Sequence, residues 1–164
     1  MAHEAVELLS QYLQIDTTNP PGNEMRGVEF FARIFDNEGI VYKTYEACAG
    51  RGSIKAVIPG AGEKGAIILL NHIDVVPART DEWSLHPFSG EIQDGFIHGR
   101  GALDMKGQGI LELLAFLEVK RKGLTPCRDI IFLAVADEEA GAQNGVAYLL
   151  NNYADDFQAD LVIN

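Results

Sequence analysis

With 164 residues, 47% of them hydrophobic and 23% charged, the sequence amounts to one globular domain, which excludes intrinsic disorder. Its longest apolar runs, residues 66–70 and 130–136, fall far short of the roughly 20 residues a bilayer requires, so no membrane span is expected. The 24 Asp and Glu against 13 Lys and Arg give a formal net charge of −11, which argues against nucleic acid, held by basic patches, and suits metal cations.

In chain order, residues 3–15 predict a helix with Val6, Leu9 and Leu13 on one stripe. Asn19-Pro20-Pro21-Gly22 then breaks the chain. A second helix carries Val28, Phe31, Ile34 and Phe35 at core spacing and stops at Gly39. Residues 41–46, 53–58 and 66–71 predict strands, the last an unbroken apolar run of the kind buried on both faces. Residues 91–98 form a hairpin around Asp94-Gly95. A third helix spans residues 106–122 with Ile110, Leu113, Leu114 and Leu117 inward; a second buried strand follows at 129–136. A helix over 145–152 and a strand over 160–163 complete the pattern. Helices alternating with buried strands predict an α/β fold, a three-layer sandwich with a largely parallel central sheet.

Gly60-Ala-Gly62-Glu-Lys-Gly65 matches the dinucleotide fingerprint GxGxxG. That mechanism needs a helix after the glycines to hold a pyrophosphate, and here the strand-like Ala66-Ile-Ile-Leu-Leu follows. Ala66 also stands where a phosphate loop requires Lys. A glycine-rich hairpin turn between two strands is the better reading. Cys48 and Cys127 are single and widely spaced, no Asn-x-Ser/Thr site occurs, and no apolar signal segment follows Met1. Reduced thiols and a cytoplasmic location are the expectation.

In open α/β sheets, ligands bind beyond the carboxyl ends of the strands. The strand over 66–71 ends in His72-Ile73-Asp74, and that over 129–136 ends in Asp137-Glu138-Glu139 before Gly141. Between them, Gly99-Arg100-Gly101-Ala102-Leu103-Asp104 opens the third helix. Each segment alone has a mundane explanation: a satisfied His, an Asp capping a helix, a solvated acidic loop. Together at one sheet edge, the carboxylates repel unless a cation compensates them. Imidazole with carboxylates suits zinc and other divalent transition metals.

Four ordered motifs resemble one family: His72-Ile-Asp74-Val-Val-Pro77; Trp83 with Pro87-Phe88-Ser89-Gly90; Gly99-Arg-Gly-Ala-Leu-Asp104-Met-Lys-Gly107; and Asp137-Glu138-Glu139-Ala-Gly141. It is the co-catalytic zinc hydrolase family of aminoacylase, acetylornithine deacetylase, succinyl-diaminopimelate desuccinylase and the glutamate carboxypeptidases. The resemblance implies hydrolysis of an amide bond in an N-acyl amino acid or short peptide with a free carboxylate. It implies two divalent ions, zinc first, with cobalt and manganese compatible with the same ligands. His72 would ligate one metal and Glu139 the other, with Asp104 bridging both. Asp74 would clamp the second ring nitrogen of His72. Glu138 would be the general base for a metal-bridging water. The family also implies a cis peptide between Asp104 and Met105. His3, His86, His98, Trp83 and Phe88 are left outside the site, and Asp155-Asp156 reads as a solvated helix end.

In the family, the catalytic domain is discontinuous, interrupted by a lid or dimerisation domain that carries substrate-binding residues. Residues 1–164 would correspond to its N-terminal portion, leaving two protein ligands per ion, and are expected to be inactive or nearly so alone. A homodimer would form through the inserted domain. Two alternatives stand beside the enzyme: a non-catalytic binding or assembly domain keeping the fold, and a zinc aminopeptidase of related fold.

Overall fold

A computed structural model describes residues 2–164. Helix α1 (Ala2–Leu13) and helix α2 (Met25–Glu38) flank the Asn19–Gly22 breaker. Gly39 ends α2 in a left-handed conformation, φ 61°, its N–H donating to Asp36 O. Strands β1 (Tyr42–Glu46), β2 (Gly52–Ile58) and β3 (Ile67–His72) follow. Asp94 (φ 52°) and Gly95 (φ 84°) then turn the hairpin of β4 (Ile92–Gln93) and β5 (Phe96–Ile97), the primed geometry that matches strand twist. Helix α3 (Lys106–Arg121), strand β6 (Ile130–Val135), helix α4 (Val146–Tyr153) and strand β7 (Leu161–Ile163) follow, each within a residue or two of its predicted bounds, with short 3-10 turns at Thr80–Glu82, Glu138–Ala140 and Ala154–Phe157.

The central sheet has the order β1-β2-β6-β3-β7. The expected parallel pairing holds for β6 with β3 and β3 with β7, whereas β1–β2 and β2–β6 are antiparallel, so the sheet is mixed. One expectation is corrected. The glycine-rich segment 60–65 is not a hairpin turn, because β6 inserts between β2 and β3. The segment instead crosses the start of β6, with Gly60 N–H donating to Asp129 Oδ1 at 2.8 Å and Ala61 N–H to Pro126 O at 2.8 Å.

Strand alternation divides the apolar residues between two faces. Phe132 and Ala134 of β6, with Ile54, Ala56 and Ile58 of β2, join Tyr12, Phe31, Phe35, Phe116 and Leu117 in one core under α2 and α3. Ile131, Leu133 and Val135 face the other way, with Ile68 and Leu149, toward α4. Helix α1 packs on α3, and Arg121 ties three helices together through Glu4 (2.8 Å) and Glu38 (2.5 Å). The apolar run of β3 is only half-buried in places, since the three residues of β7 that cover its edge are themselves exposed. Asp156 is also corrected: its carboxylate accepts hydrogen bonds from Lys43 Nζ (2.6 Å) and Tyr45 OH (2.8 Å), pinning the end of α4 to β1. No described helix is long and apolar enough to cross a membrane.

Candidate metal centre

The parallel register sets His72 at the end of β3 opposite Val135 at the end of β6. Ile73 N–H extends this ladder to Val135 O (2.8 Å), so the segments 73–75 and 136–139 leave the sheet side by side. The loop into α3 approaches the same sheet end, where His72 N–H donates to Met105 Sδ at 3.3 Å. Lys106, the first residue of α3, is fully buried and donates to Tyr12 O (3.2 Å) and Ile15 O (2.6 Å), fastening that loop to the end of α1. The Asp104–Met105 peptide is cis, as the resemblance implied.

Asp104 does not cap the helix. The position before α3 is Met105, with no side-chain cap, and the Asp104 carboxylate lies with Oδ1 3.1 Å from His72 Nε2. Glu138 Oε2 is 3.9 Å from the same nitrogen. His72, Glu138 and Glu139 present ligand atoms within 4.8 Å of one another. Three segments distant in sequence thus converge on one imidazole. Around it, Leu70, Asn71, Met105, Gln108, Val135 and Val146 help line a cavity of about 290 Å³.

Asp74 is placed differently from the simple clamp. His72 Nδ1 bonds the Asp74 carbonyl oxygen at 2.9 Å, and the carboxylate Oδ1 stands at 3.5 Å. The carboxylate instead accepts the backbone N–H of Glu138 on Oδ1 and that of Glu139 on Oδ2, both at 3.1 Å, and Asn19 Nδ2 at 2.8 Å. Asp74 therefore couples the His72 segment to the acidic segment, a role its spacing from His72 did not signal.

Burial works against charge on His72, but hydrogen bonds and charge from Asp74, with a contribution from Asp104, push its pKa up to about 9. Burial, aided by the charges of Asp104, Glu138 and Asp74 and opposed by His72, raises Glu139. Carboxylates gathered around one imidazole favour positive charge at this end of the sheet. One imidazole with the carboxylates of Asp104 and Glu139 is a donor set that fits zinc and similar divalent ions, which bind imidazole in its neutral form.

Of the residues left outside the site, Trp83 and His98 line a second cavity that also reaches Asp104. His3 pairs with Glu7 in α1 at 3.2 Å, His86 Nδ1 accepts Phe88 N–H at 3.2 Å, and the Arg100 guanidinium lies 5.2 Å over the Trp83 ring. Cys48 and Cys127 are free and exposed. Sequence reasoning missed Asn19, Arg51 and the role of Asp137, whose contacts with one another and with Glu24 span 27 to 118 residues.

The family model for peptidase family M20/M25/M40 matches residues 68–164. Aminoacylase-1 of Sus scrofa is 36% identical over 146 residues, covering 88% of this chain and 36% of that protein. Succinyl-diaminopimelate desuccinylase of Methylorubrum extorquens is 42% identical over 108 residues, 62% of this chain and 27% of that protein. The M20 metallo-carboxypeptidase Sso-CP2 of Sulfolobus solfataricus has the same fold over 98% of this chain and 36% of its own, with a TM-score of 0.82 and 26% identity. The chain thus spans about a third of the length of these relatives, and across that span it belongs to peptidase family M20/M25/M40.

Proposed function

We propose that these residues supply part of the metal centre of a dinuclear amide hydrolase acting on N-acyl amino acids or short peptides with a free carboxylate. The observation that carries this reading is the convergence of Asp104, Glu138 and Glu139 on His72 at the carboxyl ends of β3 and β6. His72 would hold one ion and Glu139 the other, with Asp104 between them. Two divalent ions, when bound, would supply Lewis acidity toward the scissile carbonyl and the attacking water. Glu138, with its side chain 58% exposed at the mouth of the site, takes the water proton and returns it to the departing amine. Asp74 holds the amides of Glu138 and Glu139 and, through its carbonyl, the His72 ring. The aminoacylase and desuccinylase relatives support the acyl amino acid class, and the carboxypeptidase neighbour supports the peptide class.

On this reading residues 1–164 are the N-terminal portion of a discontinuous catalytic domain. Two chain ligands per ion then give weak metal binding and no turnover from these residues alone. Calorimetric titration with Co²⁺ should show binding that His72→Ala weakens at least about tenfold. Absence of binding, or affinity indifferent to His72, would overturn the metal reading. Turnover of N-acetyl amino acids by the purified 164-residue chain would overturn the division of the domain.

A further inference from the structure

The breaker Asn19-Pro20-Pro21-Gly22 lies beneath the acidic loop, and its first residue is buried, 3% exposed. Asn19 Nδ2 donates both to Asp74 Oδ2 (2.8 Å) and to Asp137 Oδ1 (3.0 Å). Its two amide hydrogens thus serve the two strand-end segments of the metal centre, one each. Arg51, just before β2, shares one of those partners, the Oδ1 atom of Asp137. Its Nε and one terminal nitrogen grip Glu24 at 2.8 and 2.9 Å. That same terminal nitrogen reaches Asp137 Oδ1 at 2.5 Å, and the other donates to Pro21 O at 3.1 Å. Glu24 Oε1 accepts the Asp137 N–H at 3.3 Å. Asp137 Oδ2 takes the backbone and side-chain nitrogens of Asn144 at 2.8 and 3.0 Å.

This network carries out one conformational task. Asp137 sits at φ 66°, ψ 21°, a left-handed conformation uncommon for a residue with a Cβ. That turn carries the chain off β6 so that the next two amides meet the Asp74 carboxylate. Glu24, Asp74 and Asp137 are all 3% exposed or less. Three buried carboxylates need donors that leave none unpaired. At position 19, only a neutral side chain with two hydrogens on one nitrogen can satisfy two carboxylates at once; Asp would add a fourth charge, and Ser would satisfy one partner.

We propose that Asn19 and Arg51 are positioning residues, which through Asp137 fix the backbone from which Glu138 and Glu139 reach the metal centre. The meaning of that centre rests on the proposed function; the bracing of the two amides does not. The test is amide hydrogen exchange on the 164-residue chain, read by NMR at Glu138 and Glu139 with Phe132 of β6 as the core reference, alongside Co²⁺ titration. Asn19→Leu keeps the volume and removes the donors. It should speed exchange at Glu138 and Glu139 about tenfold relative to Phe132 and weaken Co²⁺ binding about tenfold. Simple destabilisation would instead raise all three amides together. Arg51→Lys, which keeps the charge but not the fork, should lie between wild type and Arg51→Met on both readouts. A folded Asn19→Leu chain with wild-type exchange at both glutamates overturns the proposal. Should Asn19→Leu fail to fold, Arg51→Lys decides alone, and its matching wild type on both readouts overturns the proposal. A wild-type chain that ignores Co²⁺ refutes the metal reading, and the exchange comparison still decides the brace.

Discussion

Glu138 and Glu139 are adjacent in sequence and nearly equivalent in reach, yet the proposed chemistry gives them different work. Their amides are held alike, by the two oxygens of one Asp74 carboxylate, so any difference arises from the side chains. Glu138 stands 58% exposed, and Glu139 is half-buried and shifted toward protonation by burial and neighbouring carboxylates. A ligand is needed for binding, whereas a base is needed only for turnover. Glu139→Gln should therefore weaken Co²⁺ binding about tenfold, with Glu138→Gln nearly unchanged; equal losses would make Glu138 a ligand and remove it from the base role. Asp74 presents a second test. Replacing it with Asn leaves one acceptor oxygen where two backbone N–H groups and Asn19 now donate. Because hydrogen bonds to charged groups are the stronger kind, Asp74→Asn should cost about 2 kcal/mol in urea unfolding.

Elements built from local patterns were legible, and each has a local cause. Helix α2 ends where Gly39 permits φ 61°, and no atom would meet an added Cβ there. Gly39→Ala should consequently cost about 1 kcal/mol, the strain of a left-handed Ala with no steric contribution, measured by urea unfolding. Asp94-Gly95 and the core stripes of α2 and α3 were visible for the same reason, since their determinants lie within a turn or two of the residues they shape. The place of β6 between β2 and β3 was not, because strand order is set by partners far along the chain. The helix clamp is likewise non-local. Arg121 lowers the pKa of Glu4 below its ordinary value, through a hydrogen bond and its charge outweighing burial. A carboxylate depressed on folding contributes stability that is full above its unfolded pKa and disappears as pH falls through the folded one. Arg121→Met should destabilise by less than about 1 kcal/mol at neutral pH, since the pair is partly exposed, and the deficit should shrink below about pH 4.

Across the whole molecule, the net charge of −11 divides into scattered surface acids and a converging set at one sheet edge. The residues of that set were legible as types at strand ends, because topology forces the ends of parallel neighbours together. Their supports at Asn19, Arg51 and Asp137 were not, since a bond between residues 118 positions apart leaves no spacing to read. The two edges of the sheet show a second contrast at this scale. On β1, Lys43 and Glu46 put charge along the edge, and Lys43 is tied to Asp156. Charged edge residues discourage pairing with another chain. On β7, Leu161, Val162 and Ile163 are 46–51% exposed and none is charged. Because β7 pairs with β3 on one side only, its other side offers free backbone donors and acceptors beside apolar side chains. The 164-residue chain should therefore self-associate increasingly across micromolar concentrations in sedimentation velocity, as exposed apolar edges do. Val162 helps line an apolar groove with Leu149 and Phe157, so the informative changes are at its two neighbours. Leu161→Lys with Ile163→Lys should return the chain to a monomer with its urea midpoint little changed. Association that persists in this double variant would move the contact away from β7.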